Sequence, residues 1–255
     1  MAEAVRRYAV VTGANKGVGF GTVKQLASKG VVVVLTARDE KRGLEALEKL
    51  KDFGISDLVV FHQLDVTDSA SAAVLADFVK TQFGKLDILV NNAAINGSII
   101  NPEAFISAAT AKLSDSPRII NVSTGAAKLM NFPNGWPKEV LSDAGTLTEE
   151  RIDSVLNGFL EDSKQGLQDT KIWPPVFPPY TVSKAALNAY TRILAKKYPN
   201  FCINCGSPGF VKTDMSFNAG ILTIDEGAES IVRLALLPNG SSTGLYFSPK
   251  EVAPF

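Results

Sequence analysis

An apolar run, Tyr8-Ala-Val-Val-Thr12, leads without a break into Gly13-Ala-Asn-Lys-Gly17-Val-Gly19, and a helical pattern follows to Lys29. A strand, a glycine-rich turn and a helix N-terminus in direct succession restrict the fold strongly. N–H groups in such a turn point outward, the helix dipole favours an anion there, and glycine lets the main chain approach a pyrophosphate closely. The alternation then repeats. Val31–Leu35, Leu58–Phe61, Leu86–Val90, Pro117–Val122 and Phe201–Cys205 read as apolar strands, with Gly244–Phe247 as a last edge strand. Between and after them, helical patterns cover Asp39–Phe53, Asp68–Phe83, Pro102–Leu113, Tyr180–Tyr198 and Ile224–Leu237. Near-continuous apolar strands separated by helices imply an α/β, Rossmann-type, doubly wound parallel sheet covered on both faces. With no repeat or interdomain linker, residues 1–255 read as one domain.

Composition mainly excludes. With 26 basic and 26 acidic side chains the formal net charge is zero, which argues against a nucleic-acid or acidic-membrane partner. The start is short and mixed rather than a signal peptide, no run reaches transmembrane length, and a cytoplasmic protein is expected. Cys202 and Cys205 form a lone C-x-x-C without a second pair or a nearby histidine, so buried free thiols are expected rather than zinc. The one histidine, His62, ends a strand and reads as structural, and no G-x-S-x-G elbow accompanies it. The sequons at Asn96, Asn121 and Asn239 carry no weight without a secretory signal.

Chemistry concentrates at the strand ends and on one helix. Tyr180-Thr-Val-Ser-Lys184 places a phenol and an ammonium one turn apart on a helix face, and a nearby positive charge favours the phenolate. Such a pair can move protons near neutral pH, although a solvated helix face is the commoner account of an isolated match. Arg38, at the end of the second strand, suits a 2′-phosphate where an acid would bond a ribose hydroxyl, and Lys16 adds a charge nearby; both also fit as ordinary surface cations. Asp65 either bonds an adenine edge or caps a helix. Asn91, after the fourth strand, can tie neighbouring strand ends together. Ser123 sits at the carboxyl end of the fifth strand, where ligands bind in such sheets, as a carbonyl ligand or a plain loop serine. Pro208 and Gly209 fix a turn that could hold a nicotinamide amide against backbone and Thr213. Residues 131–179 break the alternation, with one helical stretch near Thr148–Ser163. Two tryptophans and several phenylalanines there suggest a folded lid walling an apolar pocket.

Thr12-Gly-Ala-Asn-Lys-Gly17-Val-Gly19, Asn91-Asn-Ala-Ala94, Ser123, Tyr180-Thr-Val-Ser-Lys184 and Pro208-Gly-Phe-Val-Lys-Thr213 resemble, in order, the motifs of the short-chain dehydrogenase/reductase family. The 57 residues from Ser123 to Tyr180 resemble its monomeric carbonyl-reductase branch, and Leu35-Thr-Ala-Arg38-Asp and Arg233–Pro238 are similar to plant members acting on terpenoid or alkaloid ketones. The resemblance implies NADP(H) bound by Gly13, Asn15, Lys16, Gly17, Val18, Gly19, Arg38, Asp65, Val66, Asn91, Ala93, Pro208, Gly209, Val211 and Thr213, together with Tyr180 and Lys184. It implies that Tyr180 protonates a carbonyl oxygen, Ser123 orients it, and Lys184 lowers the phenol's pKa and holds the nicotinamide ribose. The expected activity interconverts a hydrophobic ketone and its secondary alcohol, in a monomer.

One departure opens an alternative. Residues 91–116 are short for the family's crossover between strands four and five, and the helix expected there, Pro102–Leu113, contains no asparagine of the kind that in the family completes a proton relay. The helix expected at Pro102–Leu113 is just long enough to return along a strand. A shortened isoform that binds cofactor but turns over weakly, in a binding or regulatory role, is the alternative.

Overall fold

Valine- and isoleucine-rich runs become strands because β-branched side chains fit a pleated, buried surface. They are β1 (Tyr8–Val11), β2 (Val32–Ala37), β3 (Val59–Gln63), β4 (Leu86–Asn91), β5 (Leu113–Val122), β6 (Cys202–Gly206), β7 (Tyr246–Phe247) and β8 (Val252–Ala253). The helices are α1 (Gly17–Ser28), α2 (Glu40–Lys51), α3 (Ser69–Phe83), α4 (Trp136–Ser142), α5 (Glu149–Lys164), α6 (Pro178–Lys197) and α7 (Ile224–Ala235). The structure is a computed structural model describing residues 6–94, 113–167 and 172–255. One sheet runs β3-β2-β1-β4-β5-β6-β7-β8, parallel except for β8. The chain leaves β1 toward β2 on one side and meets β4 on the other, so the strand order reverses beside β1.

Alternation along the strands builds two apolar layers. Val11, Leu35, Val90 and Ile120 point to the face covered by α1, α2 and α7, where Leu26, Leu50 and Ile231 meet them. Val10, Val34, Leu89 and Ile119 point to the opposite face, against Leu75 of α3 and Leu194 of α6. Each such side chain contributes about 1.5–3 kcal/mol on burial. Helix starts follow their caps: Asp39 and Asp68 accept from Arg42 N and Ala70 N at 2.9 Å, and Thr148 opens α5.

Several boundaries differ from the sequence reading. Leu113 does not end a helix; it opens β5 and pairs with Leu86, four residues before the expected strand start at Pro117. The register then shifts between Leu86 and Ile88, in keeping with a proline that has no N–H to donate. The rest of the expected crossover helix, residues 102–112, lies outside the described residues. Gly244–Phe247 is not the edge: β7 is Tyr246–Phe247, and β8 pairs outside it. Helix α4 escaped notice because seven residues are too few to display a helical period, although Pro137 stands at its first turn. Proline also starts α6 at Pro178, two residues before the expected Tyr180.

The insertion is folded. Leu141, Ile152, Val155 and Phe159 pack with Val182, Ala185, Ala186 and Ala189 of α6, largely on the side turned away from Lys184. Trp173 locks it: the indole is 2% exposed, Nε1 donates to Asp162 Oδ2 at 2.7 Å, and its ring meets Phe159 at 5.1 Å and Trp136 at 5.9 Å. Replacing Trp173 with Ala should cost about 3–5 kcal/mol in a denaturant titration. Limited proteolysis should then cut first within residues 131–179.

Candidate active site

Parallel strands collect their carboxyl ends on one side, and side chains stitch those ends together. The Thr12 hydroxyl accepts from the N–H of Asn92 at 3.0 Å and of Ala93 at 2.9 Å. In return, Asn92 Nδ2 donates to the carbonyls of Thr12 at 2.9 Å and Gly13 at 3.0 Å. The turn after β1 is thereby clamped to the turn after β4. Gly13 has φ +60°, and a Cβ on it would stand 2.8 Å from Ala93 Cα; one on Gly19 would stand 2.4 Å from Asn92 Nδ2. Only glycine fits this clamp. Lys16 precedes α1 in extended backbone, its side chain caps nothing, and the first turn carries no acid. The N–H groups around Gly17, Val18 and Gly19 therefore remain for an anion, as a dinucleotide pyrophosphate requires, with Asn15 beside them.

Arg38 is exposed beyond β2 and its carbonyl accepts from Gln63 Nε2 at 2.9 Å. Beside it, Asp65 Oδ1 accepts from Thr67 N at 2.9 Å and Thr67 Oγ1 at 2.7 Å, and these bonds, with the Arg38 charge, hold its carboxyl below the ordinary value. The helix-capping use weighed for Asp65 belongs instead to Asp68. Val66 is half-buried against the α3 side of the core. Lys16 is engaged in an ion pair. Its Nζ bonds Asp214 Oδ2 at 2.7 Å, an ion pair that lowers the Asp214 carboxyl and spans from the glycine turn to the segment after β6. That segment passes close by: a Cβ on Gly17 would lie 3.4 Å from Thr213 Cγ2. Gly209, at φ +84°, makes the expected turn after Pro208, and a Val211–Leu222 bridge closes the loop.

Ser123 directly follows β5. Its N–H donates to Gly206 O at 2.8 Å, while its hydroxyl is buried with no partner among the described residues. Next to it, the Thr124 hydroxyl stands close enough to the Tyr180 phenol to favour its ionised form. One turn along α6, Lys184 Nζ donates to the Val122 carbonyl at 2.7 Å. The three expected catalytic side chains thus gather around the end of β5. Their electrostatics differ from the expectation: burial pushes the Tyr180 phenol up, with the Thr124 hydroxyl opposing. Burial also pushes Lys184 down to about 8. Desolvation dominates both groups because each sits in protein rather than water, and the lysine is turned onto a backbone carbonyl.

Sequence reasoning passed over a polar chain beneath this site. Asn91 Nδ2 donates to Asn121 Oδ1 at 2.8 Å, and Asn121 Nδ2 donates to Thr191 Oγ1 at 2.9 Å, tying β4, β5 and α6 together. Asn91 therefore ties strand ends as expected. Asn121 inside the apolar run Ile119-Ile-Asn-Val122 was the available signal, since a polar side chain in a buried strand needs a partner. Nothing in the sequence announced Thr124 or Asp214. Cys202 and Cys205 are free and buried, and the Cys205 thiol is pushed up to about 12. His62 packs on Phe78 with ring centroids 4.8 Å apart. Among the described residues no cluster of His, Cys, Asp and Glu could hold a metal ion, and no helix is long and apolar enough to cross a membrane.

Known proteins bear on this geometry directly. The family model described as short chain dehydrogenase matches residues 7–127. A (+)-neomenthol dehydrogenase from Arabidopsis thaliana is 51% identical over 296 aligned positions that take in 100% of both chains. With 255 residues in the chain, 296 − 255 = 41 of those positions have no residue here. A carbonyl reductase (NADPH) 3 from Mus musculus is 37% identical, with 91% of each chain covered. The structure of salutaridine reductase from Papaver somniferum superposes with a TM-score of 0.89 at 44% identity, covering 95% of this chain and 99% of that one. The chain belongs to the short chain dehydrogenase family of oxidoreductases.

Proposed function

We propose that this oxidoreductase is an NADPH-dependent reductase interconverting a hydrophobic ketone, terpenoid- or alkaloid-like, and its secondary alcohol. The observation that carries the reading is the orphaned Ser123 hydroxyl, buried at the end of β5 beside the Thr124–Tyr180 contact with Lys184 one turn behind. A buried donor without a protein partner is suited to a carbonyl oxygen that gains negative charge. The relatives named for neomenthol and salutaridine support the substrate class, and the mouse relative named for NADPH supports the cofactor.

The dinucleotide, when bound, supplies the hydride. Gly13, Gly17 and Gly19 with the α1 N-terminus would hold its pyrophosphate, Arg38 its 2′-phosphate, Asp65 and Val66 the adenine end, and Ala93, Pro208, Gly209, Val211 and Thr213 the nicotinamide end. Ser123 donates to the substrate oxygen, Tyr180 delivers the proton to that oxygen, and Lys184 opposes the burial that raises the phenol. Exposed Val176 and Phe177 directly before Tyr180, and Phe210, Phe217 and Ile221 after β6, offer an apolar rim for the substrate. Phe177 and Phe217 hold left-handed backbone, at φ 47° and 50°, a conformation costly for such residues and concentrated at functional sites. Together with residues 131–179 they would form the lid. The insertion also covers α6, which supports a monomer, and the two free thiols support a reducing, cytoplasmic location.

Three measurements check this. Titration with NADPH and a panel of cyclic ketones should show turnover, and Tyr180→Phe should reduce it by about 10²–10⁴-fold while NADPH still binds. Cofactor binding without turnover on a broad ketone panel would refute the reading. Arg38→Ala should weaken NADPH by about 10–100-fold, the loss of a charge-assisted contact, and leave NADH binding nearly unchanged. Lys184 gives a signed pH test. Its folded value, about 8, lies below the ordinary 10.5, so the unfolded chain binds more protons between the two and stability rises with pH across that window. The cost is full below pH 8, at ~3 kcal/mol. Lys184→Met should therefore be more stable than the parent at pH 7, with the advantage shrinking from pH 8 to 10.5, and should lose turnover.

A further inference from the structure

A third polar side chain stands in line with Tyr180 and Lys184. Asn188 lies one turn beyond Lys184 on α6, so the three share a face at i, i+4 and i+8. Asn188 is 3% exposed, and among the described residues neither its amide oxygen nor its amide nitrogen has a hydrogen-bond partner. Buried primary amides are paired as a rule, because an unmade bond leaves the full desolvation cost in place. Of the polar groups nearest along the helix, Thr191 is committed elsewhere: it donates to Leu187 O at 2.8 Å and accepts from Asn121, which in turn accepts from Asn91. Arg192, one turn beyond, keeps a buried Nε with no partner among the described residues.

Lys184 is the complementary group. An ammonium has three donors, and the Val122 carbonyl of β5 takes one of them. The carboxylate that α5 brings to α6, Glu149, ion-pairs with Lys197, more than three turns beyond Lys184. From β6 comes the Cys205 thiol, held neutral by burial, and α4 and α5 present Leu141, Val155 and Phe159. On α6 itself the ionisable neighbours are Tyr180, one turn before, and Arg192, two turns beyond, whose guanidinium reaches the Leu141 carbonyl.

We infer that Asn188 is a positioning residue for Lys184: its amide oxygen accepts from the ammonium through one enclosed water, and so keeps Nζ charged and fixed behind Tyr180. The catalytic meaning of this contact rests on the reductase reading, but the contact itself belongs to the free protein. Removing the acceptor disfavours the charged lysine, and a less charged lysine leaves the phenol higher. The Lys184 titration therefore moves down, and the pH midpoint for alcohol oxidation, which needs the phenolate, moves up.

Asn188→Leu keeps the volume and removes both amide atoms; Asn188→Ser keeps an acceptor with room for water. The full chain, free of cofactor and labelled with ¹³C-lysine, is titrated by NMR, with the Lys184 resonance assigned by its loss in Lys184→Met. In Asn188→Leu the midpoint should fall by about one pH unit and in Asn188→Ser it should hold. Turnover by Asn188→Leu should fall by about tenfold, with the KM for NADPH kept and the alcohol-oxidation midpoint raised. An unchanged Lys184 midpoint in a folded Asn188→Leu protein overturns the inference; if that variant does not fold, Asn188→Ala is read by the same criterion. Absence of ketone turnover in the parent protein would overturn the reductase reading alone, since the NMR titration decides the role of Asn188 without it.

Discussion

The clasp between Thr12 and Asn92 is the constraint on which the site depends. Four hydrogen bonds between 2.9 and 3.0 Å join the end of β1 to the turn after β4 at the point where strand order reverses. A crevice opens at such a reversal because successive crossovers leave in opposite directions. The clasp sets how closely the two turns approach, which is why glycine is required at positions 13 and 19. A second set of bonds, from Asn91 through Asn121 to Thr191, extends the stitching to β5 and α6 and carries Ser123 and Lys184 with it.

Stability and chemistry are placed in different parts of the molecule. The two layers of valine, leucine and isoleucine on either side of the sheet contribute most of the burial, whereas the site concentrates groups that burial opposes. An ammonium pushed down to about 8, a raised phenol and a hydroxyl with no partner among the described residues gather at the end of β5. Such groups persist because the surrounding sheet over-determines their positions, and they are the ones able to respond to a substrate oxygen.

The insertion between Ser123 and Tyr180 has its own core. Alanines at positions 185, 186 and 189 let it approach α6 closely, and Trp173 ties its two ends. It also bears on the site through the helix whose other side carries Lys184. Exposed apolar side chains stand at positions 176 and 177, shortly before Tyr180, and at 210, 217 and 221, after β6.

The doubly wound sheet, the glycine turn and the pairing of Tyr180 with Lys184 were legible from local patterns, because strand alternation, glycine placement and the i, i+4 period are properties of neighbouring residues, whereas the grouping of Ser123 with them rested on the family resemblance. Pairings between residues far apart in the chain were not. Lys16 could be read as a second phosphate cation because nothing local reveals that Asp214, 198 residues on, comes within 2.7 Å. The short β8 and the early start of β5 depend on a neighbouring strand being present to pair with. The direction in which Tyr180 and Lys184 shift depends on how much protein surrounds them. Sequence by itself determined which chemical groups are available and the order in which the sheet presents them. Only the tertiary structure decided which of them are dry, which are paired and which are left free to act, since burial and partnership are set by residues distant in sequence and adjacent in space.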